Sequence, residues 1–349
     1  MRHPVTLTIL GTLAMAAILS LSSCSQPAMQ EDGDVRQAAR LEQDAFITHD
    51  GQHLPLSVWS PAEGEPRAVV LALHGFNDYR RAFAATAEDM SAGGVQVYAY
   101  DQRGFGGTAD RGIWPGTDAL VEDARAALVL LREAHPDTPV YLLGKSMGGA
   151  VAIGALTRQP EPEVDGAVLV APAVWARRTM PWYQRAALWL GSRLAPGREV
   201  RGSGLGIRPT DNREMLREWS RDPMVIKGTR IDAVAGLANL MDEALDGIPR
   251  LGTESLILYG RNDEVVPRQP TCRMLSNLPS DPRNWRFALY EDGYHMLTRD
   301  LQGGVVRADI TAWVLDRDAT LPSGMEATNS PRREALCHVP PVPEMVHSG

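Results

Sequence analysis

Short apolar runs punctuate the chain at about residues 54–60, 68–73, 95–101, 139–144, 166–171, 254–260 and 285–290. Longer stretches with apolar residues every three or four places lie between most of them. Runs such as Ala68–Leu73, apolar at every position, fit strands buried on both faces. The alternation predicts an α/β fold, a mostly parallel central sheet with helices on both faces. Helices are expected over 81–93, 117–135, 148–158, 267–278 and 301–316; in the second, Leu120, Val121, Ala124, Leu128 and Leu131 form one stripe.

Residues 174–249 break the alternation between the fifth and sixth parallel strands. They carry Trp175, Trp182, Trp189 and Trp219, half of the 8 tryptophans in the chain. This interval is expected to be a mostly helical cap above the carboxyl edge of the sheet, where it would shield a reacting centre from water. Its aromatics either line an apolar channel or form the cap's own core.

The fourth apolar run leads into Gly144-Lys145-Ser146-Met147-Gly148 and then a helix-compatible stretch. A Gly-x-Ser-x-Gly sequence between a strand and a helix makes a sharp turn that exposes the serine hydroxyl. Ser146 is therefore the candidate nucleophile. A serine needs a base held by a third group. Downstream, Asp263 follows the sixth strand and His295 follows the seventh, the order expected of groups on successive loops at one sheet edge. His295 is assigned as base and acid, since an imidazole with a pKa near 6.5 trades protons at neutral pH. Asp263 is assigned to orient it, in preference to Asp292. The backbone N–H groups of Phe76, after the second run, and of Met147 are assigned as oxyanion donors, such donors being worth about 2.7–4 kcal/mol each. Asp101 and Arg103 are expected to form an ion-paired turn near the site, and His74 to shape the oxyanion loop.

Five ordered motifs, His74-Gly75, Asp101-Gln102-Arg103-Gly104-Phe105-Gly106, Gly144 to Gly149, Gly260 to Pro267 and Gly293-Tyr294-His295, carry a family resemblance. Over about residues 45–318 the chain resembles the α/β-hydrolases of the monoacylglycerol lipase and lysophospholipase-like group. The resemblance implies the α/β-hydrolase fold with a helical cap, and a serine esterase that needs no cofactor. Lys145 departs from the pattern, standing where many such enzymes carry His. Peptidase or acyltransferase chemistry on the same fold, and a catalytically silent envelope binding protein, are the alternatives.

The 44% hydrophobic content supports a large core. A net charge of −8 with no basic cluster argues against nucleic acid as a partner. No spacing of His, Cys or carboxylates suggests a metal site.

The opening residues, Met1-Arg2-His3 followed by an apolar run from Leu7 to Leu21, read as an export signal over 1–23. The residues before Cys24 resemble a bacterial lipobox, which implies acylation of Cys24 and a membrane anchor. Ser25, in place of Asp, implies an outer-membrane lipoprotein facing the periplasm. An ordinary secretory signal with an incidental cysteine is the alternative. A polar tether is expected over 24–43, the hydrolase domain over 44–320 with its cap at 174–249, and a proline-rich disordered tail over 321–349. An oxidising compartment permits a Cys272–Cys337 disulfide, and two free thiols fit the sequence equally well.

Overall fold

The computed structural model describes residues 27–338, apart from 32, 34, 35 and 203–205. The expected signal 1–23, Cys24 and residues 339–349 lie outside the described residues.

The strands are β1 (Arg40–Leu41), β2 (Ala45–Ile47), β3 (His53–Trp59), β4 (Ala68–Leu73), β5 (Val95–Tyr100), β6 (Val140–Lys145), β7 (Gly166–Val170), β8 (Glu199–Val200), β9 (Thr229–Arg230), β10 (Ser255–Gly260) and β11 (Trp285–Tyr290). All but β8 and β9 join one sheet in the order β1-β2-β3-β5-β4-β6-β7-β10-β11. From β5 to β11 every pairing is parallel, while β1, β2 and β3 add an antiparallel edge. Strands β4, β6, β7 and β10 are buried at every residue, as their apolar runs require.

The helices are α1 (Ala84–Ala92), α2 (Thr117–Ala134), α3 (Met147–Thr157), α4 (Trp182–Leu194), α5 (Arg213–Arg221), α6 (Ile231–Gly247), α7 (Arg268–Ser276), α8 (Gly303–Leu315) and α9 (Pro331–Cys337). Two apolar cores result. One holds Leu120, Leu128 and Ile153 with residues of α6; the other holds Met90 of α1 with Ile310 and Trp313 of α8. The sheet is thus covered on both faces.

Three boundaries differ from the sequence expectation. The sequence expectation carries the cap through 249, yet α6 is a core helix packed on α3: Arg158 Nε bonds Glu243 at 2.8 Å, and a Cβ at Gly247 would stand 2.6 Å from Thr157 Oγ1. The expected tether over 24–43 is docked where it is described. Ala28 N–H donates to Asp232 at 3.0 Å, Met29 bridges Trp114, and β1 pairs with β2. Just beyond it, Arg103 forks between Asp50 and Asp123, with both pairs at 2.6 Å, and fastens this segment to α2.

The third difference is the tail. Residues 321–338 are ordered: Leu289 N–H donates to Met325 O at 3.0 Å and Ala327 N–H to Phe287 O at 2.7 Å, extending the sheet beyond β11. Pro331 sits in the first turn of α9, where its missing N–H costs nothing, so a proline taken as a sign of disorder is a helix start. A Cys272–Cys337 disulfide, with Cα atoms 5.5 Å apart, ties α9 to α7 and resolves the choice the sequence left open.

Candidate active site

The turn between β6 and α3 is built by what glycine permits. A Cβ on Gly144 would lie 2.4 Å from Gly148 O, and one on Gly148 would lie 2.0 Å from Leu73 O. With those positions bare, β6 runs straight into α3 and Ser146 occupies the apex at φ 52°, ψ −116°, a region that non-glycine residues enter only under constraint. The constraint is explicit: Ser146 N–H donates to Val170 O at 3.0 Å, and its carbonyl accepts from Ala150 at 3.1 Å and Ala173 at 2.9 Å.

Ser146 Oγ lies 2.9 Å from His295 Nε2, and His295 Nδ1 lies 2.8 Å from Asp263 Oδ2. Asp263 is itself fixed, its Oδ1 accepting from the N–H groups of Val265 and Val266, both at 2.9 Å. With Asp263 ionised, Nδ1 carries the proton and Nε2 is free to accept from Oγ. The three side chains, drawn from loops after β6, β10 and β11, meet at the carboxyl edge of the sheet. Asp292 is exposed, away from this relay.

Met147 N–H lies in the first turn of α3, and Phe76 N–H lies in the loop after β4. Among the described residues neither donates to a backbone carbonyl. Both are therefore available to an oxyanion, and Met147 gains from the positive end of α3. Gly75 brings the oxyanion loop close: a Cβ there would stand 3.4 Å from the Ser146 Cβ and 3.9 Å from its Oγ. His74 holds the loop. Its Nε2 accepts from Gln102 N–H at 2.9 Å while its Nδ1 donates to Gly75 O at 2.8 Å. Gln102 returns a bond from its amide to His74 O at 2.8 Å. Complete burial lowers the His74 pKa, consistent with a neutral ring serving as donor on one side and acceptor on the other.

The expected Asp101–Arg103 pair does not form. Asp101 bonds Arg80 at 2.6 Å and Gly107 N–H at 2.8 Å, while Arg103 turns to Asp50 and Asp123. Adjacent but one in sequence, the two side chains leave the loop in different directions.

Lys145, next to the nucleophile, is 3% exposed. Burial, and then the Arg299 guanidinium, push its pKa down to about 7, against the pull of Asp78, Asp300 and Asp263. Asp78 and Arg299 form a buried ion pair, and Asp300 accepts from Thr210 Oγ1 at 2.6 Å and Tyr294 N–H at 2.7 Å. No local sequence pattern points from Asp78 to Arg299, so neither role is legible before the fold brings them together.

On the other side of the oxyanion loop the walls are aromatic. The Phe76 ring meets Phe105 edge-on at 5.6 Å and Trp114 at 6.3 Å. With Ile226, Ala233, Asn77 and Thr229 these residues line a small cleft of about 10 Å³, room for no more than a water. Of the cap tryptophans, Trp175 packs on the core while Trp182 and Trp189 face solvent. Among the described residues no cluster of His, Cys, Asp or Glu is arranged to hold a metal ion.

A family model described as serine aminopeptidase, S33, matches residues 64–302. A monoacylglycerol lipase of Mycolicibacterium smegmatis is 26% identical over 276 residues, covering 78% of this chain and 96% of that protein. The monoglyceride lipase of Homo sapiens is 25% identical over 286 residues, covering 79% and 91%. In fold, a soluble variant of monoglyceride lipase from Saccharomyces cerevisiae, solved with a substrate analogue, superposes with a TM-score of 0.64 at 19% identity, over 84% of this chain and 99% of that one. The chain belongs to the S33 serine aminopeptidase family and has the α/β-hydrolase fold.

Proposed function

We propose that the protein hydrolyses carboxylic esters of lipid acyl chains, monoacylglycerols and lysophospholipids being the substrate class, through an acyl-enzyme on Ser146. The observation that carries this reading is the continuous relay from Ser146 Oγ through His295 to Asp263. His295 Nε2 takes the Oγ proton as Oγ attacks the ester carbonyl, and the N–H groups of Phe76 and Met147 hold the oxyanion. The intermediate collapses as His295 returns that proton to the leaving alkoxide. Water then attacks the acyl-enzyme by the same steps in reverse and releases the acid. Asp263 stays ionised throughout and stabilises the imidazolium. The lipase relatives and the aromatic wall of Phe76, Phe105 and Trp114 beside the oxyanion loop support an acyl substrate.

The family description raises the peptidase reading. An aminopeptidase needs an uncommitted carboxylate near Ser146 to receive a substrate ammonium. Asp78, Asp263 and Asp300 are each already engaged by protein groups, which favours the ester. Ester hydrolysis predicts labelling by a fluorophosphonate probe and cleavage of p-nitrophenyl acyl esters, both lost in Ser146→Ala. Faster turnover of aminoacyl p-nitroanilides than of acyl esters would overturn it.

An envelope location, with Cys24 acylated, is part of the same proposal. The charged start, apolar run and Ser22-Ser23-Cys24 ending support it. Palmitate-analogue labelling that persists in Cys24→Ala would refute the anchor.

A further inference from the structure

Just before α5 the cap runs without helix or strand through Arg208-Pro209-Thr210-Asp211-Asn212. Thr, Asp and Asn have short polar side chains that commonly bond backbone groups of their own neighbourhood. Here all three reach a segment 87 to 90 positions later in the chain. Thr210 Oγ1 donates to Asp300 Oδ1 at 2.6 Å, Asn212 Nδ2 donates to Arg299 O at 3.1 Å, and Asp211 Oδ1 accepts from Leu301 N–H at 2.8 Å. Arg208 N–H donates to Glu264 Oε2 at 2.7 Å, and its guanidinium lies 4.8 Å over the Tyr294 ring. Residues 208–212 thus strap together the loops that carry Asp263 and His295.

The strap grips the base from both sides. Tyr294 and Met296 flank His295, and the N–H of each is held by a group outside the core strands and helices. Met296 N–H donates to Pro209 O at 2.8 Å, and Tyr294 N–H donates to Asp300 Oδ2 at 2.7 Å. Thr210 engages the other oxygen of Asp300, and the two side chains are buried, at 2% and 6% exposed. With both oxygens engaged, the Asp300 carboxylate is fixed in rotation. Without the hydroxyl it is free to turn away from Tyr294. Among the described residues Thr210 bonds none of Ser146, Asp263 and His295, so any effect on them passes through the loop.

We infer that Thr210 is a positioning residue for His295, and that the strap makes the cap and the base one unit. The 2.9 Å approach of His295 Nε2 to Ser146 Oγ is kept only while the cap is seated on the His295 loop. A misplacement of about 1 Å at such a contact costs about a hundredfold in rate. The effect on turnover rests on the acyl-enzyme reading above, whereas the effect on the His295–Asp263 bond is independent of the substrate.

The test compares Thr210→Val, which loses the hydroxyl, with Thr210→Ser, which keeps it, in the full chain. Thr210→Val is expected to lower kcat for p-nitrophenyl acyl esters about ten- to hundredfold with KM within about twofold. It should also broaden or remove the low-field proton resonance of His295 Nδ1–H, and Thr210→Ser should restore both. Asp211→Ala, which removes only the exposed bond to Leu301, is expected to lower kcat in the same sense by a smaller factor, and it decides the question if Thr210→Val does not fold. Wild-type kcat and an unchanged resonance in the folded variants would overturn the inference. So would a loss of activity in Thr210→Val no greater than that of Cys272→Ser/Cys337→Ser at an equal loss of Tm, which would assign Thr210 to stability alone. A resonance that follows the variants in a protein inactive on acyl esters would uphold the inference and overturn the ester reading.

Discussion

Asp78 and Arg299, 221 positions apart, form a buried ion pair that ties the oxyanion loop to the loop carrying His295. The pair lies two residues beyond Phe76 and four beyond His295, so it sets the distance between the oxyanion donors and the base. The pairing holds the Asp78 carboxyl below its ordinary range against the effect of burial. Removing one partner strands the other's charge, at a cost of about 3–5 kcal/mol. Asp78→Ala is expected to lower Tm and to reduce kcat for acyl esters more than it raises KM. The effect on kcat separates a positioning role from a purely structural one. Asp78→Glu, which keeps the charge, should recover part of both.

Lys145 makes stability depend on pH. Burial lowers its pKa to about 7 from 10.5, so the unfolded chain binds more protons between those limits. The lysine therefore costs stability below about pH 7, and that cost is relieved as pH rises toward 10.5. Lys145→Met should be more stable than wild type at pH 6, with the difference shrinking steadily between pH 7 and 10. Chemical denaturation of both proteins across that range measures it. A constant difference would show that Lys145 does not change its charge there.

Two glycines of the site differ in what they tolerate. A Cβ at Gly148 would meet the backbone of β4 at 2.0 Å, whereas a Cβ at Gly75 makes ordinary contact at 3.4 Å. Gly148→Ala is expected to yield little folded protein. Gly75→Ala should fold with a near-wild-type Tm and lose activity only through crowding of Ser146 Oγ. Circular dichroism melts alongside fluorophosphonate labelling distinguish the two outcomes.

The parts of this molecule legible in the sequence are those that local pattern encodes. The strands from β3 to β7, β10 and β11 each carry an apolar run, and Ser146, Asp263 and His295 follow such runs at loop positions that topology brings to one edge. Asp78–Arg299 and Asp50–Arg103–Asp123 were not legible, because an ion pair between distant charged residues leaves no periodicity in either neighbourhood. The residues around Met29 and those from 321 to 338 read as polar or proline-rich, yet they dock through scattered backbone bonds, distant ion pairs such as Arg286–Glu326 and one disulfide, none of which leaves a local pattern. The exposure of Trp182 and Trp189 has a similar origin: helical spacing shows which residues share a face, and only packing shows which face points out.

The disulfide closes a loop of 65 residues between Cys272 and Cys337. By chain entropy alone such a cross-link stabilises the folded state by up to about 4 kcal/mol. Cys272→Ser/Cys337→Ser, or wild type with reductant, is expected to show a lower Tm while keeping most of its esterase activity at moderate temperature. Neither cysteine touches the relay or the oxyanion loop. An unchanged Tm under reducing conditions that free both thiols would show that the remaining contacts of α9 suffice to hold the tail.

Trp114 controls the space beside the oxyanion loop. Its indole lies against Phe76, and a Cβ at Gly236 would stand 2.5 Å from the ring, so the tryptophan fills the ground between the loop and α6. The cleft of about 10 Å³ holds no acyl chain, so a chain lying along Phe76 enters only as this ring or the cap moves aside. Trp114→Ala opens room for several methylenes, each worth about 0.8 kcal/mol when buried. Two effects then compete: the truncation costs core stability, about 3–5 kcal/mol for a fully packed Trp, and the cavity gains affinity for longer chains. The variant is expected to have a lower Tm, and a ratio of kcat/KM for long over short p-nitrophenyl esters at least several-fold above that of wild type. If the ratio is unchanged, the acyl chain does not lie along Phe76 and Trp114, and the cavity lined by Asp78, Trp219 and Arg299 becomes the route to examine.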